Sequence, residues 1–284
     1  MKYYILCCSS FVVHYVFLSH DVDWSFQGPG RDHILARRDR FDKETIRDID
    51  IRNPYNNIND YITIEEKFGV RSTFFFRTNY ENGKLVDYEQ DIQTLIRGGW
   101  EIGLHCDQAS VDNFDSMHQE KKELESITKK TVKANRSHYL AFSERLPIIL
   151  NELGFIYDSS VVESKNRISN NTRGYFLLNN IIEFPITIMD AYLFTYMHIS
   201  EDKIINTFMY ALDCARKYNK FFNIITIVWH TNVLKMKGGR KYKDIIEYLS
   251  CQEDVKLVNG MELAKIVNLK SRKVADANPL SSKA

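Results

Sequence analysis

Cysteine is scarce in this sequence, with five in 284 residues and none spaced as a C-x-x-C pair. An odd count without that spacing excludes a fully paired disulfide framework and a zinc ribbon. It favours a reducing compartment, so we predict a cytoplasmic protein. Excess charge is also missing, because 38 Lys and Arg residues face 37 Asp and Glu residues. We therefore expect no nucleic-acid partner, since a basic excess is the usual footprint of such binding.

Long hydrophobic runs are absent too, and no segment predicts a transmembrane helix. The apolar stretch over residues 3–18 is interrupted by cysteine, serine and histidine. It is shorter than the roughly 20 apolar residues that span a bilayer. It also runs directly into His20-Asp21-Val22-Asp23 without an A-x-A cleavage pattern. We interpret it as a buried strand rather than as a signal peptide.

The rest of the composition is that of a globular protein, with 44% hydrophobic and 26% charged residues. Apolar runs alternate with amphipathic segments, which predicts a parallel sheet with helical crossovers. The predicted strands cover residues 15–22, 70–77, 100–105, 132–136, 155–157, 181–189, 222–229 and 255–258. The predicted helices cover residues 58–68, 88–97, 112–130, 143–153, 201–218, 244–250 and 261–267. We expect one domain over residues 1–268 and a flexible C-terminal tail over residues 269–284.

Polar residues collect where these predicted strands end. They are Asp21, Asp23, His105, Arg136, Asp158, Asp190 and His230. In parallel α/β proteins the carboxyl ends of the strands carry the active site. This placement therefore predicts a catalytic or binding site at one end of the sheet.

Each of these residues also has a structural interpretation. Asp21 and Asp23 share a strand face, where one carboxylate could ligate a metal while the other serves as base. They could equally cap a helix or a turn. His105 and His230 each close an apolar strand, which suits a metal ligand or a general acid. Arg136 could orient a carboxylate or form a surface ion pair.

Five segments, taken together and in order, resemble the polysaccharide deacetylase family with NodB homology. They are S-H-D-V-D at residues 19–23, G-V-R-S-T-F-F at 69–75, G-G-W-E-I-G-L-H at 98–105, R-S-H-Y at 136–139 and V-W-H at 228–230. The family counterparts of the last four are G-x-x-A-T-F-F, G-H-E-I-G-x-H, R-P-P-Y and L-x-H. The resemblance covers roughly residues 15–235 and is to divergent members of the family.

The resemblance implies a distorted (β/α)7 barrel of the NodB-homology type and metal-assisted removal of an acetyl group from an N-acetylated sugar or polysaccharide. By the same resemblance, Asp21 is the catalytic base and Arg136 holds it. His230 is the acid that protonates the leaving amine. The backbone N–H of Tyr139 contributes to oxyanion binding. Asp190 is our candidate to keep His230 charged.

The metal set implied by the resemblance is incomplete. Asp23 and His105 match two family ligands of a divalent metal, with zinc as the expected ion. The family's second metal histidine falls four residues after the first, where this chain has Ala109. A catalytic zinc usually keeps three protein ligands. We therefore predict that His138, in the R-S-H-Y segment, supplies the third.

Several alternatives stay open at this point. Asp107 or His20 could replace His138 as ligand. Cys106 could be a nucleophile or a soft ligand, although a small apolar filler is favoured. The basic segment over residues 31–40 could bind a phosphate or an anionic glycan, although a solvated helix face is favoured. The whole chain could instead be a metal-free carbohydrate-binding barrel, or a carbon–nitrogen hydrolase acting on a small metabolite.

Overall fold

Twelve strands are present in the computed structural model, which describes residues 13–168, 174–218 and 223–277. They are β1 (His14–Val22), β2 (Thr73–Phe76), β3 (Asn79–Tyr80), β4 (Gly83–Lys84), β5 (Glu101–Cys106), β6 (Ala134–Ser137), β7 (Tyr157–Asp158), β8 (Phe176–Leu178), β9 (Ile181–Glu183), β10 (Ile188–Met189), β11 (Asn223–Val228) and β12 (Val255–Val258).

Ten α-helices accompany these strands in the same part of the chain. They are α1 (Arg31–Leu35), α2 (Lys43–Arg47), α3 (Ile58–Lys67), α4 (Glu89–Gly98), α5 (Phe114–Thr128), α6 (Leu146–Glu152), α7 (Asp190–Thr195), α8 (Ile204–Tyr218), α9 (Tyr242–Ser250) and α10 (Gly260–Ala277). Helices fill most connections between neighbouring parallel strands, as the alternating sequence pattern predicts.

The main sheet has the strand order β10-β11-β1-β2-β5-β6-β7-β9-β8. All pairs from β10 to β9 are parallel, and only β8 runs antiparallel, against β9. Strand β12 pairs with the first half of β1, and β2 pairs with its second half. The chain folds as a single domain, and the predicted distorted (β/α)7 barrel is confirmed.

The sixth barrel strand differs from the prediction of one continuous strand over residues 181–189. It is broken into β9, which pairs with β7, and β10, which pairs with β11. Pro185 lies between the two halves. Proline lacks the N–H that a central strand needs, so it interrupts the ladder there. The two halves of one segment thereby join opposite edges of the curled sheet.

An aromatic layer fills the barrel interior below the strand ends. Phe17, Phe75, Tyr157 and Phe184 are fully buried, and the rings of Phe17 and Tyr157 meet edge to face at 5.8 Å. Helix α10 packs against this layer. A larger apolar cluster lies between the outer face of the sheet and the helices. The filled interior leaves the carboxyl ends of the strands as the place for a ligand.

The predictions for the two ends of the chain concern residues that the structure describes only in part. The predicted strand over residues 3–18 is strand from His14 onward, and residues 1–12 lie outside the described part. Helix α10 continues to Ala277, so the predicted tail begins inside a helix. The division at residue 268 stays a prediction. Across the described residues, no helix is long and apolar enough to cross a membrane.

Candidate active site

The candidate site is built by the ends of four parallel strands. Asp21 belongs to β1, and Asp23 follows it by one residue. His105 and Arg136 are direct neighbours across the β5–β6 ladder. His230 lies two residues beyond β11. Because side chains alternate along a strand, Asp21 and Asp23 point to one face, whereas His20 points to the other.

Three side chains at this end, Asp23, His105 and His138, lie close enough together that they could hold a metal ion, and we call them the metal-ligand triad. The Oδ1 of Asp23 is 3.1 Å from His105 Nε2 and 3.5 Å from His138 Nδ1. The two histidine nitrogens are 3.2 Å apart. His138 follows β6 directly, in a 3₁₀ turn that His138 itself begins. The predicted third ligand therefore faces the other two.

The chemistry of this donor set fits a divalent metal. His105 Nδ1 donates a hydrogen bond to the carbonyl oxygen of Arg136 at 2.9 Å. When a metal is bound, a neutral imidazole with its proton on Nδ1 would present the lone pair of Nε2 to the ion, and metal-binding histidines commonly have a carbonyl or carboxylate partner on the other ring nitrogen. A tetrahedral zinc with ligands at about 2.0–2.1 Å would separate those ligands by about 3.3 Å. The three separations observed in the triad match that spacing.

Asp21 is held by a buried arginine. Arg136 is fully buried, and its Nη1 donates to Asp21 Oδ1 at 2.7 Å. The other oxygen of Asp21 is 4.0 Å from His105 Nε2 and 3.9 Å from His230 Nε2. Burial raises the pKa of Asp21, but the Arg136 guanidinium and the two histidines outweigh it, and the net pKa lies below the ordinary value. Asp21 is thus an ionised carboxylate beside the triad.

Arg136 is itself fixed by Ser159, a residue that the sequence analysis missed. Arg136 Nε donates to the Ser159 carbonyl oxygen at 2.9 Å, and Nη2 donates to its Oγ at 2.8 Å. The guanidinium also stacks over the Phe75 ring at 4.4 Å. Ser159 directly follows the end of β7, which was the available signal. These contacts orient the guanidinium so that Nη1 donates its hydrogen bond to Asp21.

His230 is held by Asp190, as the sequence analysis proposed. His230 Nδ1 donates to Asp190 Oδ1 at 2.6 Å, and the His230 backbone N–H donates to Oδ2 at 2.8 Å. Burial lowers the pKa of His230, but the Asp190 carboxylate raises it more, to about 10. Nε2 faces the site, 3.5 Å from Asp23 Oδ2. His230 is therefore an imidazolium with its proton aimed at the cleft.

The carboxylate of Asp23 is strongly acidic. Burial raises its pKa, but hydrogen bonds with His105 and His138 and the charge of His230 bring it well below the ordinary value. Its side chain keeps 25% exposure, against 2% for Asp21. Asp23 is thus the more accessible of the two carboxylates.

The turn after β6 adopts an uncommon backbone conformation. Tyr139 has φ 56° and Leu140 has φ 53°, which places two consecutive non-glycine residues in the left-handed region. Such residues cluster at functional sites because the surrounding structure must hold them there. The Tyr139 side chain is 79% exposed. Tyr139 lines a cavity together with Asp23 and His138, and its backbone N–H is the group expected to make an oxyanion contact.

Two alternative ligands lie outside the triad. His20 Nδ1 donates to the Trp229 carbonyl oxygen at 2.6 Å, and its Nε2 contacts Glu65 Oε1 at 2.8 Å. Asp107 accepts from the Ala109 N–H at 3.0 Å and lies 3.6 Å from the Arg77 guanidinium. Each side chain is engaged away from the triad.

Two further polar residues at strand ends are also structural. Asp158 accepts hydrogen bonds from Asn135 and Ser160 below the cleft. Cys106 is fully buried and contacts Ser137 Oγ at 3.3 Å. Burial raises the pKa of the Cys106 thiol, which disfavours the thiolate that a nucleophile or soft ligand requires.

Two adjoining cavities open beside the triad. The first, which we call the central cavity, has a volume of about 350 Å³ and is lined by Asp21, Asp23, His105, His138, Tyr139, Leu140, Met189, Tyr192 and His230, among others. The second, the side cavity, has a volume of about 760 Å³ and shares Asp23, Ala191 and His230 with the first. Volumes of this size suit a small ligand.

Comparison with known proteins supports the fold. No protein-family model and no curated protein matches the sequence. A protein from Mycobacterium smegmatis assigned as a polysaccharide deacetylase is 17% identical, with a TM-score of 0.65 over 92% of each chain. PuuE allantoinase is 12% identical, with a TM-score of 0.64 over 89% of this chain and 90% of its own.

A third solved structure is a mutant of BA3943, a CE4 family pseudoenzyme with restored enzymatic activity. It is 12% identical, with a TM-score of 0.52 over 89% of this chain and 68% of its own. At these identities the likeness concerns the fold. The chain has the barrel fold found in polysaccharide deacetylases, as its sequence motifs predicted.

Proposed function

We propose that the protein is a metal-dependent deacetylase that removes an acetyl group from an N-acetylated sugar or polysaccharide. The observation that carries this proposal is the convergence of three metal-suited donors with two opposed proton-transfer groups at one end of the barrel. The shared fold with solved polysaccharide deacetylases supports it. Fold alone does not establish chemistry, so the site residues carry the argument.

Asp23, His105 and His138 are the proposed ligands of a divalent metal, which we take to be zinc. Two nitrogens and one carboxylate oxygen are a usual donor set for catalytic zinc, which keeps a further position open. When bound, such an ion polarises an acyl carbonyl and lowers the pKa of nearby water. The substrate would approach from the central cavity, past the exposed side of Asp23.

Asp21 is the proposed general base. Its carboxylate is ionised and borders the triad, and its second oxygen is turned from Arg136 toward the two histidines. The buried ion pair fixes the carboxylate, so the base needs little reorganisation when it accepts a proton from water. Arg136 is a positioning residue, because it acts through Asp21.

His230 is the proposed general acid. Deacetylation breaks a carbon–nitrogen bond, and the departing amine needs a proton. The imidazolium of His230 faces the cleft opposite the Asp21–Arg136 pair, and Asp190 holds its charge. The Tyr139 backbone N–H is the proposed donor to the developing oxyanion, in a turn already held in position.

Metal analysis of the purified protein, followed by acetate release from a panel of N-acetyl sugars, tests the proposal. We expect about one equivalent of bound divalent metal per chain. We also expect acetate release, and a chelator should abolish it. Metal-replete protein that releases no acetate from any N-acetyl sugar or oligosaccharide would contradict it.

A second candidate is a carbon–nitrogen hydrolase acting on a small metabolite. The shared fold with PuuE allantoinase and the small central cavity favour this alternative. Turnover of a cyclic amide or ureide without acetate release would support it. A metal-free carbohydrate-binding barrel is the non-catalytic alternative, and sugar binding without bound metal or turnover would support that. The cytoplasmic location remains our proposal.

A further inference from the structure

The side cavity is lined by a cationic group that the proposed chemistry does not use. Arg37, Arg40 and Lys237 border it, together with the aromatic side chains of Trp24 and Tyr55. The cavity opens onto Asp23 and His230 of the candidate active site. A ligand reacting at the metal-ligand triad would therefore place its remaining atoms within reach of these cations.

These cations are not engaged in ion pairs within the described part of the chain. Among residues 13–168, 174–218 and 223–277, no Asp or Glu oxygen lies within 4.0 Å of the charged nitrogens of Arg37, Arg40 or Lys237. Glu201, another lining residue, is neutralised by Arg240 at 2.6 Å. The other acidic lining residues are Asp23, which belongs to the triad, Asp190, which pairs with His230 at 2.6 Å, and Asp39. Asp39 therefore opposes the three cations.

Other parts of the same basic segment behave differently. Arg31 pairs with Asp50 at 3.1 Å on the surface, and Arg38 is exposed and lies outside the lining. The structure thus divides residues 31–40, for which the sequence favoured a solvated helix face. Arg31 and Arg38 lie on the surface outside the side cavity, whereas the half-buried Arg37 and the exposed Arg40 line it.

The cationic group is held in place by backbone contacts. The Lys237 N–H donates to the Arg40 carbonyl oxygen at 2.7 Å, and Lys237 Nζ donates to the Asp39 carbonyl oxygen at 2.8 Å. Arg37 Nη1 donates to the His33 carbonyl oxygen at 3.3 Å. Residues far apart in sequence are therefore brought together before any ligand arrives, which reduces the entropic cost of binding.

An aromatic wall links this group to the active site. Trp24 follows Asp23 in the sequence. The centroid of its ring is 4.8 Å from that of His33 and 5.1 Å from that of Tyr55. Burial, followed by the charges of Arg37 and Arg40, lowers the pKa of His33. Both arginines therefore lie close to this wall, and His33 adds no positive charge near neutral pH. Aromatic faces of this kind suit the apolar face of a sugar ring.

We propose that the side cavity selects an acidic acylamino sugar, whose anionic group is bound by Arg37 and Arg40 with Lys237 nearby. This inference rests on the proposed function, because it assumes that the acyl group reacts at the triad. The anionic group could be a carboxylate or a phosphate ester, because both present oxygens to which a guanidinium can donate two hydrogen bonds.

Binding measurements test this without relying on turnover. In an Asp21→Asn background, in which we expect hydrolysis to be strongly slowed, calorimetry would compare N-acetylglucosamine with its 6-phosphate and with 2-acetamido-2-deoxyglucuronic acid. We expect the better acidic sugar to bind at least about tenfold more tightly than the neutral one, the scale of one charge-assisted hydrogen bond. The 6-phosphate and the uronic acid distinguish a phosphate source from a carboxylate source.

Arg37→Gln and Arg40→Gln should each reduce that preference by about threefold, since the two side chains share it, while Arg37→Lys should retain part of the Arg37 contribution. Arg38→Gln is the matched control, since it removes the same charge from the same segment outside the cavity. Thermal melts check that each variant folds. Equal binding of neutral and acidic sugars, no measurable binding of either acidic sugar, or an equal effect of Arg38→Gln would overturn the inference.

The two proposals fail in different ways. If the wild-type enzyme releases acetate from neutral and acidic sugars with equal kcat/KM, and Arg37→Gln changes neither, deacetylation stands and the acidic specificity is wrong. If acidic sugars bind selectively through Arg37 and Arg40 but no acetate is released, the anion site stands and the deacetylase proposal is wrong.

Discussion

Two histidine–carboxylate groups lie back to back on strand β1, and they differ in how completely the protein satisfies them. His20 belongs to a fully buried group with Glu65. Glu65 also accepts hydrogen bonds from Tyr242 Oη and Trp100 Nε1, each at 2.6 Å. One residue later, Asp21 begins the opposite face, where Asp23 meets His105 and His138.

Both groups combine histidine with a carboxylate, and they differ in how many of their polar atoms already have protein partners. In the His20 group, both ring nitrogens and the Glu65 carboxylate have protein partners. In the metal-ligand triad, two ring nitrogens and a carboxylate converge at the spacing of metal ligands, next to a cavity. A histidine beside carboxylates therefore indicates a binding site only where its partners leave a position for something else. The following predictions test that contrast.

The largest expected effect is a difference between substitutions of Asp21 and Asp23, the two aspartates on the triad side of β1. Asp21→Asn should reduce deacetylation by about 10²–10⁴-fold, because a neutral amide cannot act as a general base. Metal content should be retained, whereas Asp23→Asn should lose metal as well. Elemental analysis and acetate release measure both quantities. Equal metal content in the two variants would reject the division of labour between them.

The next effect concerns the third ligand. His138→Ala should lower zinc affinity as severely as His105→Ala, and by more than the roughly 10–100-fold typical of losing an outer-shell partner. Competition with a chromophoric chelator gives the affinities. Full zinc occupancy in His138→Ala would place the third ligand elsewhere, with Asp107 and His20 the next to test.

A substitution in the His20 group should change the free energy of unfolding and leave metal binding unchanged. Glu65→Ala leaves His20, Tyr242 and Trp100 without their shared acceptor, so we expect a loss of about 3–5 kcal/mol in the free energy of unfolding. The matched control is Glu66→Ala, because Glu66 is the neighbouring residue and is exposed. Urea unfolding gives the stability, and zinc affinity should be unchanged in any folded fraction. A Glu65 variant as stable as the Glu66 variant would undo the contrast.

The last prediction is a pH dependence of stability at His230 in metal-free protein. The folded pKa of about 10 exceeds the ordinary value of about 6.5. This group therefore stabilises the fold fully below about pH 6.5, and the contribution declines until about pH 10. Asp190→Asn should lower the pKa and flatten the decline. Unfolding free energies near pH 6, 8 and 10, with chelator present, would check this, and identical slopes would contradict it.

Strand ends were the part of the site that the sequence could predict. Asp21, His105 and His230 each close a buried apolar run, and parallel strands bring such ends together. The strand-end positions needed only strand direction. The ligand role of His138 came instead from the family resemblance, in which Ala109 takes a ligand position, and it stays a prediction.

Other features depend on contacts that no local pattern encodes. Ser159 supports Arg136 through geometry across strands, and the basic segment over residues 31–40 divides only once the chain is folded. The break in the sixth strand is different, because Pro185 was visible in the sequence. A proline inside a predicted strand favours an interruption, and that signal was missed in the prediction of residues 181–189.

That broken strand also gives the two proposed proton-transfer groups a common support. Its first half leads to Phe184, whose carbonyl oxygen accepts from Ser159 Oγ at 2.8 Å, and Ser159 fixes Arg136, which binds the proposed base. Its second half leads directly into Asp190, which binds the proposed acid. A shift of this one segment along its axis would displace both groups together, so the broken strand also sets the distance between the group proposed to take up a proton and the group proposed to return it.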